Sequence, residues 1–269
     1  MKPLSTEARE KIGHWSLAFL LAFAATGTFA AEPNGPDRWK FVGGVYLWGA
    51  GVKGETAIGS DIDISFDDLI SNLNMAFMGD FEARKSKWSL AADLIYLNVG
   101  AGGGGSVPVS AAPGVSLQVD ADVKLRAWVM GFTGGYNLWE SPRGTLDAIA
   151  GARYLEVKAT LAATERLGPL ASQRETTAGG ANWDAIVGVK GDINLADNWY
   201  APYYLDVGTG DSDFTWQIAA GVGYRFDWGE VNLLYRYMDW DFKSGSGLDN
   251  LNLSGPMLGA EFNFCKRND

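Results

Sequence analysis

The chain carries a single histidine, His14, and a single cysteine, Cys265, in 269 residues. One cysteine excludes an intramolecular disulfide and any thiolate metal cluster. His14 falls in a segment that reads as an export signal, so the mature chain would hold no imidazole. Its loss removes the side chain that titrates nearest physiological pH and most often serves as catalytic acid or base. Cations are scarce as well: 22 Lys+Arg stand against 32 Asp+Glu, a net charge of −10. Nucleic acid is therefore an unsuitable partner, because its phosphates need cationic neutralisation. Beyond the signal no run is oily and long enough for a transmembrane helix, which takes ~18 or more apolar residues.

The first thirty residues supply what export requires. Lys2, Arg9 and Lys11 form a basic start, and Trp15–Ala25 is apolar apart from Ser16. Thr28 and Ala30 place small side chains at −3 and −1 of a cut before Ala31. No cysteine stands near that cut, so lipoprotein anchoring is unsupported. The predicted organisation is a signal over 1–30 and a single domain over 31–269, a size that one barrel fills.

The dominant pattern in the rest is a two-residue rhythm. Strand side chains alternate faces, so Met75, Phe77, Gly79, Phe81 and Ala83 share one side and Met78, Asp80, Glu82 and Arg84 the other. In 119–129, Val119, Ala121, Val123, Leu125, Ala127 and Val129 read as the outward face. Asp120, Asp122, Lys124, Arg126 and Trp128 then read as inward. Similar segments recur to Phe264 and give ten strand candidates. Connections alternate between short (85–87, 137–144, 194–198, 227–230) and longer (53–74, 100–118, 158–182). That alternation, with an even strand count, predicts an all-β, antiparallel up-and-down barrel crossing a membrane, with eight or twelve strands as alternatives.

Tryptophans fall at segment ends, as amphipathic rings do at headgroup depth. Trp39, Trp88, Trp139, Trp199 and Trp228 are expected at the short-turn end, and Trp48, Trp183, Trp216 and Trp240 toward the other. Three strands end in related phrases, Gly131–Leu138, Gly188–Leu195 and Gly221–Phe226. These resemble the strand ends of small Gram-negative outer-membrane barrels, the broad group of the opacity proteins and the outer membrane protein A transmembrane domain. The resemblance implies the outer membrane, reached through a cleaved signal. Its implied partners are outer-membrane lipids and lipopolysaccharide, and during biogenesis periplasmic chaperones and the barrel-assembly machinery. It carries no catalytic residue and no cofactor. Barrels of that group end on an aromatic, whereas here Phe264 is followed by Cys265-Lys-Arg-Asn-Asp269.

The candidate functional residues are charges predicted to line the lumen: Asp80, Glu82, Asp93, Asp120, Asp122, Lys124, Arg126, Asp147, Arg153, Asp184, Lys190, Arg225, Arg236 and Glu261. They either pair across a small barrel and fill it, or line a narrow path that selects solutes by charge. Pairing is the preferred reading, giving a structural or surface-interaction barrel. A narrow porin or transporter is the alternative, and an outer-membrane enzyme a remote one. No metal site is expected. Asp61–Asp68 departs from a calcium loop, with Phe66 and Asn72 where that loop needs Gly and Glu. Ser65 is instead expected to cap a short helix, with Asp68 as its capping partner and Leu69, Ile70 and Leu73 against the rim. Gly102–Gly105 lacks the lysine that completes a phosphate loop.

Overall fold

The computed structural model describes residues 38–56, 61–103, 109–112, 115–167, 170–246 and 248–264, and their side chains except those of 56, 101–123, 161–176 and 178. The predicted signal with His14, the tip of the glycine-rich connection and Cys265 lie outside the described residues.

The strands in chain order are β1 (Trp39–Trp48), β2 (Gly51–Thr56), β3 (Asp61–Ile64), β4 (Leu73–Lys85) and β5 (Trp88–Gly103). They continue as β6 (Val109–Ala112), β7 (Val115–Ser141), β8 (Gly144–Leu167), β9 (Leu170–Ala196) and β10 (Trp199–Gly210). β11 (Ser212–Arg225), β12 (Gly229–Phe242) and β13 (Leu248–Asn263) complete the set, and one helix, α1 (Phe66–Ser71), lies between β3 and β4. Ten of these strands pair antiparallel in the order β1-β4-β5-β7-β8-β9-β10-β11-β12-β13. β13 returns to β1, from Val42↔Asn263 to Trp48↔Met257, and closes the barrel. Closure leaves the ring of ten strands without a free edge along the stretch that all ten share, which a sheet surrounded by an apolar medium requires.

β2 continues the line of β1 and pairs with the far half of β13, from Gly51↔Ser254 to Thr56↔Leu248. The break between them faces Pro256, which has no N–H to give the ladder. There Gly49 N donates to the Pro256 carbonyl at 2.8 Å. One barrel end has short turns after Lys85, Ser141, Ala196 and Arg225, as expected. The other carries β2, β3, α1 and the prolongations of β5, β7, β8 and β9. The connection expected over 158–182 is thus mostly strand, with β8 and β9 paired out to Leu167↔Leu170. α1 starts at Ser65, whose hydroxyl accepts from Asp68 N at 3.2 Å and donates to its carboxylate at 2.6 Å. Leu69 is buried there, whereas Ile70 and Leu73 remain exposed.

The outer wall is apolar between two aromatic belts. Aromatic pairs recur at i and i+8 on three strands: Trp88 and Tyr96, Trp128 and Tyr136, Trp216 and Tyr224. Eight tilted strand residues rise about 20 Å, close to the apolar band of a membrane barrel. At the short-turn end Trp88 meets Tyr136 (4.8 Å between ring centroids), Trp199 meets Tyr224 (5.1 Å) and Trp228 meets Phe262 (5.3 Å). At the extended end Tyr96 meets Trp128 (4.4 Å), Tyr154 meets Trp183 (4.8 Å) and Trp216 meets Tyr237 (4.7 Å). Val45, Leu90, Val187, Leu205, Leu233 and Leu258 are exposed between the belts.

Candidate functional site

Inside the wall, the short-turn half of the lumen is built from ions. Glu82 and Arg84 project from β4, and Arg84 Nε donates to Glu82 at 2.9 Å. Arg84 also pairs with Asp147 of β8, and Lys190 of β9 with Glu82. Asp147 takes a further hydrogen bond from Asn137 Nδ2 at 2.7 Å. Beside this group, Arg225 pairs with Asp192 and Glu230 and lies 4.1 Å over the Tyr200 ring. Gly223 makes room for that ring, since a Cβ there would sit 2.4 Å from Tyr200 Cζ. Glu261 accepts from Asn232 Nδ2 at 2.9 Å, and Asp80 approaches it across Gly44.

At mid-height two arginines share one acceptor. Arg153 Nη2 and Arg236 Nη2 both donate to Gln217 Oε1, at 3.0 and 3.2 Å. Arg153 pairs with Asp206 and donates to Thr215 Oγ1 at 3.1 Å. Arg236 pairs with Asp93 and donates to Tyr46 Oη at 3.2 Å, while Tyr46 donates to Asp93 at 2.5 Å. Side-chain exposure is 2% for Arg153 and 0% for its partner Asp206. Thr215 and Gln217 thus give the buried Arg153 charge further acceptors, whereas Asp206 Oδ1 is buried without a hydrogen-bond partner.

Above the arginines the lumen turns apolar. Arg236 lies 5.1 Å from the Trp48 ring and Arg153 5.7 Å from the Trp240 ring. Around the two indoles, Met78, Ile95, Val129, Leu155, Met238, Leu251 and Leu253 form one buried cluster, with Leu97, Val157, Phe242 and Met257 against it. Trp240 is wholly buried.

Of the predicted lumenal charges, Asp80, Glu82, Asp93, Asp147, Arg153, Asp184, Lys190, Arg225, Arg236 and Glu261 lie inside. Asp184 holds a turn there, accepting from Ser212 N and Oγ at 2.9 and 3.0 Å. Asp120 and Asp122 stand on β7, but their side chains lie outside the described residues. Lys124 and Arg126 are corrected: both are exposed on the outer face, in phase with Trp128, whose ring meets outward Tyr96 at a tilt of 44°. Val129, expected on the lipid side, is 3% exposed within the lumenal cluster, and Leu125 shares its side. The strand runs on beyond the aromatic belt, where the outer face meets water and the inner face becomes the dry one. Trp48 and Trp240 are corrected for the same reason, being buried in the interior cluster and not on the girdle. Sequence reasoning missed the apolar layer altogether. Its signal was present: Ile95, Leu155, Met238 and Trp240 share the parity of Asp93, Arg153 and Arg236 on their own strands.

No protein-family model matches the chain, and no curated protein matches it. Among solved structures it is similar to the outer membrane protease OmpT from Escherichia coli. There the identity is 13%, with 87% of this chain and 99% of that chain covered, and the TM-score is 0.47. The translocator domain of the autotransporter NalP from Neisseria meningitidis gives 18% identity, 87% and 90% coverage and a TM-score of 0.40. Ail, the attachment invasion locus protein of Yersinia pestis, in complex with the heparin analogue sucrose octasulfate, gives 12%, 84% and 98%, and 0.33. The likeness concerns the barrel fold, which stands on the strand pairing itself.

Proposed function

We propose that the protein is an integral barrel of the Gram-negative outer membrane with a closed, charge-paired lumen and a structural or surface-interaction role. The apolar wall between two aromatic belts supports insertion in lipid. Short turns then face the periplasm, and the β2–β3–α1 excursion and the prolonged strands face outward. The observation that carries closure is the burial of Arg153, Asp206, Met238 and Trp240 in one stack across the lumen. An open aqueous path would leave such side chains accessible. Neither layer offers the histidine base on which outer-membrane hydrolases rely, and the lumenal Arg84, Arg153, Lys190, Arg225 and Arg236 are each already paired with a carboxylate. Planar-bilayer recording on the folded protein tests the reading. Closure predicts no steady current, and a steady, ion-selective current would establish the narrow porin instead.

A further inference from the structure

One rung of the lumenal ladder carries four carboxylates. Asp93 of β5 stands opposite Asp80 of β4, and Asp80 opposite Gly44 of β1. Gly44 in turn stands opposite Glu261 of β13, and Glu261 opposite Glu230 of β12. Like charges directly opposite one another destabilise a sheet. The outer two are neutralised, Asp93 by Arg236 and Glu230 by Arg225. The inner two, Asp80 and Glu261, form no ion pair among the described residues. Arg236 and Lys190 act on Asp80 from beyond ion-pair distance, and each is committed to another carboxylate, Asp93 and Glu82. The charges that act on Glu261 are Asp80, Glu230 and Glu82, all of its own sign.

Even so, the two lean toward each other over Gly44. A Cβ there would meet Asp80 Oδ1 at 2.4 Å and Glu261 Cγ at 3.0 Å. Beside them Asn232, 5% exposed, donates from Nδ2 to Glu261 at 2.9 Å. Its Oδ1 is buried without a hydrogen-bond partner and faces the bare backbone of Gly259, 2.7 Å from where a Cβ would lie. Gly259 is the next lumenal position to Glu261 on β13, so this free acceptor borders the two carboxylates. A buried acceptor is costly unless something positive meets it. Two surplus negative charges and an orphan amide oxygen call for one divalent cation. Calcium accepts carboxylates, amide carbonyls and water in irregular sets, whereas magnesium demands near-octahedral geometry. Ions have access through the short-turn half, where the side chains of Glu82 and Glu230 remain partly exposed. We propose that Asp80, Glu261 and the amide oxygen of Asn232 hold one calcium ion in the lumen. The ion lies at the seam where β13 returns to β1. Its ligands come from β4, β13 and β12, so it fastens the start of the barrel to its end, whether or not the lumen conducts.

Calcium chloride titrated into the folded, chelator-treated barrel tests the site, in non-ionic detergent without lipid, by calorimetry and by urea unfolding. Wild type should take up one calcium per chain, and its unfolding midpoint should rise with calcium. Asp80→Asn/Glu261→Gln keeps both shapes, removes both surplus charges, and should lose that uptake and that rise. Asn232→Ala should weaken calcium binding about tenfold. Asp61→Asn/Asp63→Asn, on the exposed acidic strand β3, should bind calcium as wild type does. No uptake by wild type, undiminished uptake in the double lumenal variant, or indifference to Asn232→Ala would overturn the inference. A midpoint that responds to pH and not to calcium would give the balancing charge to a proton and overturn it too. Planar-bilayer currents are scored separately. A closed barrel that takes up no calcium defeats only this inference, whereas one that conducts and still binds calcium defeats only the closed-lumen reading.

Discussion

The two halves of the lumen are built on opposite principles. Toward the short turns, Arg84, Glu82, Lys190, Asp147, Arg225 and Asp192 fill the interior with mutually satisfied charge. Toward the extended end, Trp48, Ile95, Val129, Met238 and Trp240 fill it with hydrocarbon. The wall shows the reverse order: Leu233, Val187 and Leu258 are exposed around the ionic half, and Arg126, Lys158 and Asp241 around the apolar half. Polarity therefore inverts at the belt of Tyr96, Trp128, Tyr154 and Trp183. Where lipid surrounds the wall, burying apolar side chains inside gains little, and the lumen can take ions. Where water surrounds it, the same strands behave as a small soluble barrel with a hydrophobic core. Alternation sets which residues share a face, but the surrounding medium decides which face is oily.

Each half should fail in its own way. The largest effect is expected from Arg153→Ala, which strands the buried Asp206 carboxylate at a cost of roughly 3–5 kcal/mol by urea unfolding. Arg153→Met with Asp206→Leu should recover much of that, because a packed apolar pair removes the stranded charge. In the apolar half, Met238→Ala should cost roughly 2–5 kcal/mol, since its neighbours cannot collapse into the gap. On the wall, Val187→Arg should cost ~2–4 kcal/mol, as a cation does at mid-depth on the lipid face. Beyond the belt, Lys158→Ala should cost about 1 kcal/mol or less, because its pairing with Glu156 is exposed. A cost at Lys158 matching that at Val187 would erase the boundary between the halves.

Much of this was legible in the residues. The ten strands, the four short turns, the Ser65 cap and the inward parity of Asp93, Asp147, Arg153, Asp206 and Arg236 follow from alternation and turn chemistry. The misreading fell on β7, whose alternation of Asp, Lys and Arg with Val, Leu and Ala is the most regular in the chain. A regular alternation carries no statement of which face is wet, so applying the lipid rule beyond Trp128 turned the strand inside out. Phe132, Tyr136 and Leu138 on the same strand hold the missing phase, because all three are exposed in step with Arg126. The pairing of Arg153 and Arg236 through Gln217 was not legible, since it joins β8, β11 and β12 across the lumen.

Spin labels placed singly at positions 126, 129 and 132 of β7, on a Cys265→Ser background in lipid vesicles, test the inversion most directly. The account predicts strong collision with a water-soluble nickel chelate at 126, strong collision with oxygen at 132, and weak collision with both at 129. High oxygen collision at 129, with 126 and 132 shielded from both probes, would contradict it and place the lipid on the other face of the strand.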